Sequence, residues 1–266
     1  ARPLKGRVIL LFQPSEEDGK GALRIIGDPR FKDHEPDHIF AIHNLPSFPL
    51  HKVVVSNKNF ASASSGMRID LFGKTSHAAE PEKGKNPGIG MARMILGAQD
   101  LLKANNNFRD FVLLTPIHAV LGKLAYGTTP GRANLNFTLR SFQDTDMEML
   151  KSEIEWLVHS IATQEHLNLE ISYEEEFPAT ANHPHEVKLI KKITALKGMD
   201  LHNLRKPFKW SEDFGHFLAR YPGALIGLGS GTDQPALHNP DYDFPDEIIP
   251  TGIRVFQGLY DHILNQ

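Results

Sequence analysis

Glu16 and Glu17 are the first side chains in this sequence whose types and spacing could do chemistry. They come after the apolar run Val8–Phe12, which we predict to be a strand buried on both faces, and after Pro14, which would end such a strand. Ligands of open α/β sheets bind beyond the carboxyl ends of the strands, which is where both carboxylates would lie. One Glu could bind a metal ion while the other acts as a base toward water. The alternative is a solvated acidic turn before a helix.

Two histidines, His43 and His238, are further candidate metal ligands. His43 follows the predicted strand Asp37–Ile42, and His238 lies in a Gly- and Pro-rich loop after the predicted strand Ala224–Leu228. Imidazole together with a carboxylate such as Glu17 suits zinc or a similar divalent ion. These ligands do not form one compact motif, so the residues alone leave open that each histidine is structural or simply exposed.

The composition excludes several classes of protein. The chain has 266 residues, of which 40% are hydrophobic, which favours two domains over one. The net charge is −3, and there is no basic stripe or polybasic cluster, so we expect no nucleic-acid partner and no membrane partner. Cysteine is absent, so thiolates are excluded as ligands and nucleophiles. This absence favours a reducing compartment, and we expect a cytoplasmic protein.

Hydrophobic periodicity divides the chain into two predicted domains. Residues 1–61 and 177–266 form an α/β domain, and residues 62–176 form an α+β insert between two predicted linkers at Ser56–Ser65 and Phe177–Pro184. The insert has the order βαββαβ, with alternating strands and amphipathic helices. Its predicted elements are Met67–Phe72, Asn86–Leu102, Phe111–Ile117, Asn134–Ser141, Asp144–Gln164 and Leu167–Tyr173.

Four helices are predicted in the α/β domain. Three of them cover Gly19–Gly27, Glu186–Leu196 and Thr251–Leu264. The fourth begins after Ser211, a good N-cap, and runs to Arg220 with Glu212 and Asp213 in its first turn. We therefore interpret Ser211 and Asp213 as a cap and a helix-start charge rather than as catalysts.

The sequence contains six notable segments: FQPSEE, AIHNLP, GKTSHAAEPEKGKNP, SEDF, YPGALIGLGSG and ALHNPDYDFPDE. Together these segments resemble the M20 metallopeptidase family. The nearest branch is that of the amidohydrolases, which includes aminoacylase-like, hippurate and auxin-conjugate hydrolases. The resemblance implies a zinc-peptidase-like α/β catalytic domain with an inserted ferredoxin-like lid and dimerisation domain. It also implies a homodimer, a divalent metal (zinc first, with manganese, cobalt or nickel as alternatives) and hydrolysis of an amide bond in a small N-acyl amino acid or peptide.

The resemblance also assigns roles to particular residues. His77 would polarise the scissile carbonyl, and Arg140 would bind a substrate carboxylate, for which a guanidinium is well shaped. Without the family, His77 would be a turn histidine and Arg140 a charge at the end of a strand. The full set implied is Glu16 as general base, Glu17, His43 and His238 as metal ligands, His77 as the carbonyl-polarising group and Arg140 as the substrate-binding group.

Two departures from the family pattern matter. An Asn that many members have at the position of Gly127 is missing, so a substrate contact differs. The N-terminal part of the catalytic domain, which carries the first metal ligands in the family, has no counterpart here, so the second metal site is expected to be incomplete. We therefore expect weak metal binding and little activity from the chain as it stands. The alternative reading is a non-catalytic binding or assembly protein that dimerises through the insert.

Overall fold

The computed structural model describes residues 6–104 and 107–265. The helices are α1 (Gly21–Gly27), α2 (Pro29–Lys32), α3 (Gly88–Ala104), α4 (Asp144–Gln164), α5 (Pro184–Leu196), α6 (Gly215–Leu218) and α7 (Ile249–Leu264). The strands are β1 (Ile39–Pro46), β2 (Val53–Val55), β3 (Asn59–Ala61), β4 (Ala63–Phe72), β5 (Ser76–His77), β6 (Val112–Leu121), β7 (Thr128–Thr129), β8 (Arg132–Ser141), β9 (Asn168–Phe177), β10 (Thr180–Ala181), β11 (Leu201–Asn203) and β12 (Gly223–Gly231).

The chain divides into two units. The first unit contains Ala1–Ala61, Thr180–Phe208 and Glu212–Gln266, and the second contains Ser62–Ala179 and Lys209–Ser211. Each unit has its own cluster of buried apolar side chains. The short segment from Lys209 to Ser211 thus joins the second unit although both of its flanks belong to the first.

The first unit is built on a four-stranded mixed sheet in the order β1-β12-β2-β11. Strand β1 runs parallel to β12, with Ile39 opposite Gly223 and His43 opposite Gly227. Val53 and Ile226 from the sheet pack with apolar residues of α5 and α7 into one core. The sheet residues are apolar and buried along most of β2 and β12, as expected for strands whose faces are covered by helices.

The predicted strand Val8–Phe12 is wrong. Residues 8–12 form no strand, and Leu10 and Phe12 are 77% and 88% exposed. A strand exists only where another strand satisfies its backbone N–H and C=O groups, and no described strand pairs with this run. The apolar run therefore identified a hydrophobic segment without identifying its secondary structure.

The second predicted strand is real but longer than expected. Strand β1 continues through the segment HNLP to Pro46, so His43 lies within the strand and not after its end. Pairing with β12 explains the extension, because Asn44 and Leu45 still have partners at Leu228 and Gly229. The register shifts only between Leu45 and Pro46.

The second unit has the predicted order of elements, β4, α3, β6, β8, α4 and β9, together with the short pair β5 and β7. Its main sheet is antiparallel in the order β6-β8-β4-β9. Helix α4 has the predicted bounds, and Leu150, Ile154 and Val158 on its core face are fully buried. In α3, however, Ile89 is 64% exposed, so this apolar residue does not face the core.

The boundaries between the two units fall within both predicted linkers, between Ala61 and Ser62 and between Ala179 and Thr180, but these segments are not irregular hinges. Strands β3 and β4 occupy most of Ser56–Ser65, and Ser62 and Ser65 are at most 1% exposed. In the second segment, Thr180 is fully buried in β10. Small polar residues are typical of hinges, but they equally suit closely packed strands where larger side chains would not fit.

Within the described residues, no helix combines the length and the apolar character needed to cross a lipid bilayer.

Candidate active site

Glu16 lies on a turn that precedes α1. The turn is closed by a hydrogen bond from the Gly19 backbone N–H to the Glu16 carbonyl at 2.9 Å. The Glu16 side chain is partly buried, and its Oε1 accepts a hydrogen bond from the Asp213 backbone N–H at 3.3 Å. The carboxylate therefore faces the interior of the first unit, which is contrary to a simple solvated turn.

The surroundings of Glu16 change its proton affinity. Burial is the largest cause, followed by the charge of Glu212, and together they raise the pKa of Glu16 to about 7; the hydrogen bond from the Asp213 N–H opposes this shift. A carboxylate with a pKa near neutral pH can both accept and return a proton during a reaction. Glu16 is thus suited to general acid–base chemistry.

His43 is held in one orientation within β1. Its Nδ1 lies 2.7 Å from the Asn44 carbonyl oxygen, so Nδ1 carries the proton and donates it there. Its Nε2 lies 3.1 Å from Oε1 of Glu212. Burial alone would lower the pKa of His43, but the hydrogen bond and the negative charge of Glu212 outweigh burial and raise it.

Glu212 and Asp213 are the residues that sequence reasoning missed. They are 8% and 1% exposed, whereas charges in the first turn of a surface helix would be solvated. The predicted helix from Ser211 to Arg220 is wrong, because α6 covers only Gly215–Leu218. The available signal of a functional role was the adjacency of two acidic residues next to a short apolar segment. The sequence did not show what these two residues contact.

Ser211 does not act as the predicted N-cap. It belongs to the second unit, and its Oγ accepts a hydrogen bond from Nη1 of Arg140 at 3.2 Å. The same nitrogen of Arg140 donates to the Lys209 carbonyl oxygen at 2.8 Å. Arg140 is partly buried, and among the described residues it forms no ion pair. Its positive charge is therefore available to a carboxylate.

His77 lies in β5, which pairs with β7 in the second unit. The side chain is exposed, and its Nδ1 accepts a hydrogen bond from the Ala79 backbone N–H at 3.1 Å. In the neutral ring, the proton is then on Nε2. This tautomer presents an N–H donor to solvent, which is the group that polarising a carbonyl oxygen requires.

The three predicted metal ligands do not come together as a site. Glu17 and His238 are both exposed, and the His238 backbone has a left-handed φ of 68° in its loop. Across residues 6–104 and 107–265, no three His, Asp or Glu side chains are grouped so that they could hold a metal ion. Nε2 of His43, the atom a metal would take, faces Glu212 instead. The described donors therefore do not fit the metal site that the resemblance implies.

Comparisons with known proteins agree with the resemblance. The chain is 27% identical over 264 residues to the N-acetyldiaminopimelate deacetylase of Bacillus licheniformis, covering 99% of this chain and 70% of that protein. It is 29% identical over 263 residues to the enzyme of the same name from Anoxybacillus flavithermus, covering 95% of this chain and 66% of that protein. The chain thus spans about two thirds of the length of these relatives.

A solved structure supports the fold. The structure of a dinuclear metal-binding peptidase of the M20 family from Bacillus subtilis matches with a TM-score of 0.78 and 18% identity, covering 96% of this chain and 64% of that chain. At this identity the likeness concerns the fold alone, and it confirms the predicted peptidase-like α/β fold. The sequence profile of peptidase family M20/M25/M40 matches residues 1–262. This chain, whose relatives are named hydrolases, therefore belongs to peptidase family M20/M25/M40.

Proposed function

We propose that the protein hydrolyses the amide bond of a small N-acyl amino acid or peptide, with Glu16 as its general base. The observation that carries this proposal is the position of Glu16, which is partly buried beside the His43–Glu212 pair and whose pKa is raised to about 7. The substrate class is supported by relatives named N-acetyldiaminopimelate deacetylase, whose name describes removal of an acetyl group.

The proposed roles follow from the hydrogen bonds and the charges of the residues. Glu16 takes a proton from the attacking water and returns it to the amine that leaves. His77 donates its Nε2–H to the carbonyl oxygen as negative charge develops there. Arg140 binds the carboxylate of the substrate, because its guanidinium has no carboxylate partner among the described residues.

A divalent metal ion, zinc in the first instance, remains part of the proposal. Glu17, His43 and His238 are its proposed ligands, although the described residues do not form a site by themselves. We propose that the further ligands come from sequence corresponding to the third of the relatives that this chain does not match. The steps above accordingly involve only side chains of this chain.

Metal content tests this proposal. We expect the purified 266-residue chain to retain very little zinc after dialysis, and a chain extended to the length of its relatives to retain about two ions per molecule and to hydrolyse N-acetyl amino acids. Elemental analysis and an amine-release assay on both chains give the answer. Robust zinc-dependent hydrolysis by the 266-residue chain alone would show that the site is complete without further ligands.

One observation favours the alternative of a non-catalytic binding protein, namely the lack of a three-donor group among the described side chains. The same experiment separates the two functions. If neither the chain nor its extended form retained metal or released amine, the Glu16 and His43 positions would have no catalytic role, and assembly through the second unit would become the favoured function.

The second unit is proposed to form a homodimer through its β6 edge. Strand β6 is at one edge of the sheet, and Leu113, Ile117 and Val120 on it are 38%, 61% and 44% exposed. The opposite edge, β9, exposes a run of acidic residues at 174–176, which would repel a second copy. Exposed apolar edges pair readily with another strand, so β6 is the favoured interface.

A charge on the β6 edge should therefore separate the subunits. We expect Ile117→Lys to weaken the dimer by about tenfold or more, because a buried unpaired ammonium would oppose pairing. Sedimentation velocity over a range of concentrations measures the change. Leu196→Lys is the matched control, since Leu196 is 74% exposed but lies in α5 of the first unit. If the Ile117→Lys variant dimerised as strongly as the Leu196→Lys variant and the wild type do, β6 would be excluded as the interface.

A further inference from the structure

Asp213 holds both ends of the segment that carries Glu16. Its carboxylate accepts hydrogen bonds from Nε2 of Gln13, at 2.7 Å to each oxygen, and from the Ala22 backbone N–H at 2.8 Å. Gln13 lies before the Glu16–Gly19 hydrogen bond, and Ala22 lies after it, in the first turn of α1. We call residues 13–22 the Glu16 turn. A single carboxylate thus ties the start and the end of this turn to the residues next to α6.

Asp213 also contacts the functional carboxylate itself. Its backbone N–H donates to Oε1 of Glu16 at 3.3 Å, so one residue binds the ends of the turn and the side chain between them. The backbone is closely fitted here, because a Cβ on Gly21 would lie 1.9 Å from the Pro14 carbonyl oxygen and 3.1 Å from Oδ2 of Asp213. The Glu16 turn therefore closes on Asp213 only because residue 21 is a glycine.

The Asp213 carboxylate lies just before α6 but does not cap that helix. That helix begins at Gly215, and its N-cap is Phe214 without a side-chain cap bond, so the Asp213 carboxylate does not cap it. A carboxylate that is 1% exposed is costly unless hydrogen bonds compensate it, and the described bonds to its oxygens come from the Glu16 turn. The hydrogen bonds that compensate this burial thus come from the Glu16 turn, while the charge of His216 in α6 also acts on the carboxylate.

We propose that Asp213 is a positioning residue that fixes the Glu16 carboxylate for proton transfer. This inference rests on the proposed function, in which Glu16 is the general base. In this role Asp213 acts through the Glu16 turn, both by its carboxylate and by its backbone N–H. Loss of the carboxylate should release the turn and leave Glu16 in several orientations, most of them unproductive.

Amide hydrogen exchange tests the structural half of the inference. In Asp213→Ala, we expect the Ala22 amide to exchange about 10- to 100-fold faster, because its acceptor is removed. Asp146→Ala is the matched control, since Asp146 is also 1% exposed and accepts from the Arg109 and Asp110 backbone N–H groups, but in the second unit. Unchanged protection of Ala22 in Asp213→Ala would overturn the inference.

Steady-state kinetics test the catalytic half of the inference, on the chain extended to the length of its relatives, which is the form expected to hydrolyse N-acetyl amino acids. We expect Asp213→Ala to lower kcat about 10- to 100-fold with little change in KM, and Asp213→Asn, which keeps an acceptor oxygen, to recover part of the loss. Asp146→Ala should leave kcat unchanged at a temperature where it is folded. Asp213→Ala could keep the wild-type kcat although its Ala22 amide exchanges faster. In that case the positioning role would be overturned, while the structural half of the inference would stand. Failure of the wild type to hydrolyse any N-acyl substrate would instead overturn the proposed function.

Discussion

Replacing Glu16 with Gln is expected to lower kcat for an N-acyl amino acid by about 100- to 10 000-fold, the range over which general bases contribute. The amide keeps the shape of the carboxylate and can still accept a hydrogen bond from the Asp213 backbone N–H. It cannot accept the proton of the attacking water. The measurement is steady-state amine release by the active form of the protein, with metal content determined in parallel.

The neighbouring residue provides the contrast for this experiment. Glu17 differs from Glu16 in being exposed, and its proposed role is to bind metal. We expect Glu17→Gln to lower the metal content together with the activity, whereas Glu16→Gln should lower the activity and leave the metal content unchanged. If Glu16→Gln kept a wild-type kcat, Glu16 could not be the base.

Replacing Phe137 with Ala is expected to destabilise the second unit by about 3–5 kcal/mol, the usual cost of removing a buried phenyl ring. Phe137 is fully buried in β8, an inner strand of the sheet, where it lies opposite Met67 on β4 and Pro116 on β6. Neighbours on both sides prevent the sheet from collapsing into the space, so most of the cavity would remain.

Tryptophan fluorescence can measure this loss within one unit. The chain has 2 tryptophans, Trp156 and Trp210, and both belong to the second unit. Urea unfolding of Phe137→Ala followed by this signal should show a lower midpoint with a similar slope. The matched control is Leu96→Ala on α3, since Leu96 is 62% exposed and its loss should change stability by less than about 0.5 kcal/mol. Equal midpoints for both variants would mean that the second unit has no tightly packed core at Phe137.

The parts of the fold that the sequence predicted well are those with a local repeat. Helix α4 has the predicted bounds, because its apolar residues recur with the helical period over 21 residues. Strand β8 alternates between buried and partly exposed positions, as the sequence pattern indicated. In both cases the residues of one segment are enough to predict the element, and the tertiary structure adds only the helix or strand against which it packs.

The apolar run Val8–Phe12 and the site residues required more than a local pattern. Strand formation at Val8–Phe12 depends on a pairing partner elsewhere in the chain, which hydrophobicity cannot reveal. The motifs identified the family, and they identified Glu16 and His43 as candidate site residues. The burial of Glu212 and Asp213, and their contacts with His43 and Glu16, come from residues separated by more than 160 positions.

The sequence by itself therefore determined the family, the order of elements in the second unit and the identity of the proposed base, since motif and periodicity are properties of short segments. Only the tertiary structure decided which carboxylate is buried, which histidine tautomer is present and which residue holds the Glu16 turn. Those properties arise from desolvation and from hydrogen bonds between distant segments, and these exist only once the chain has folded.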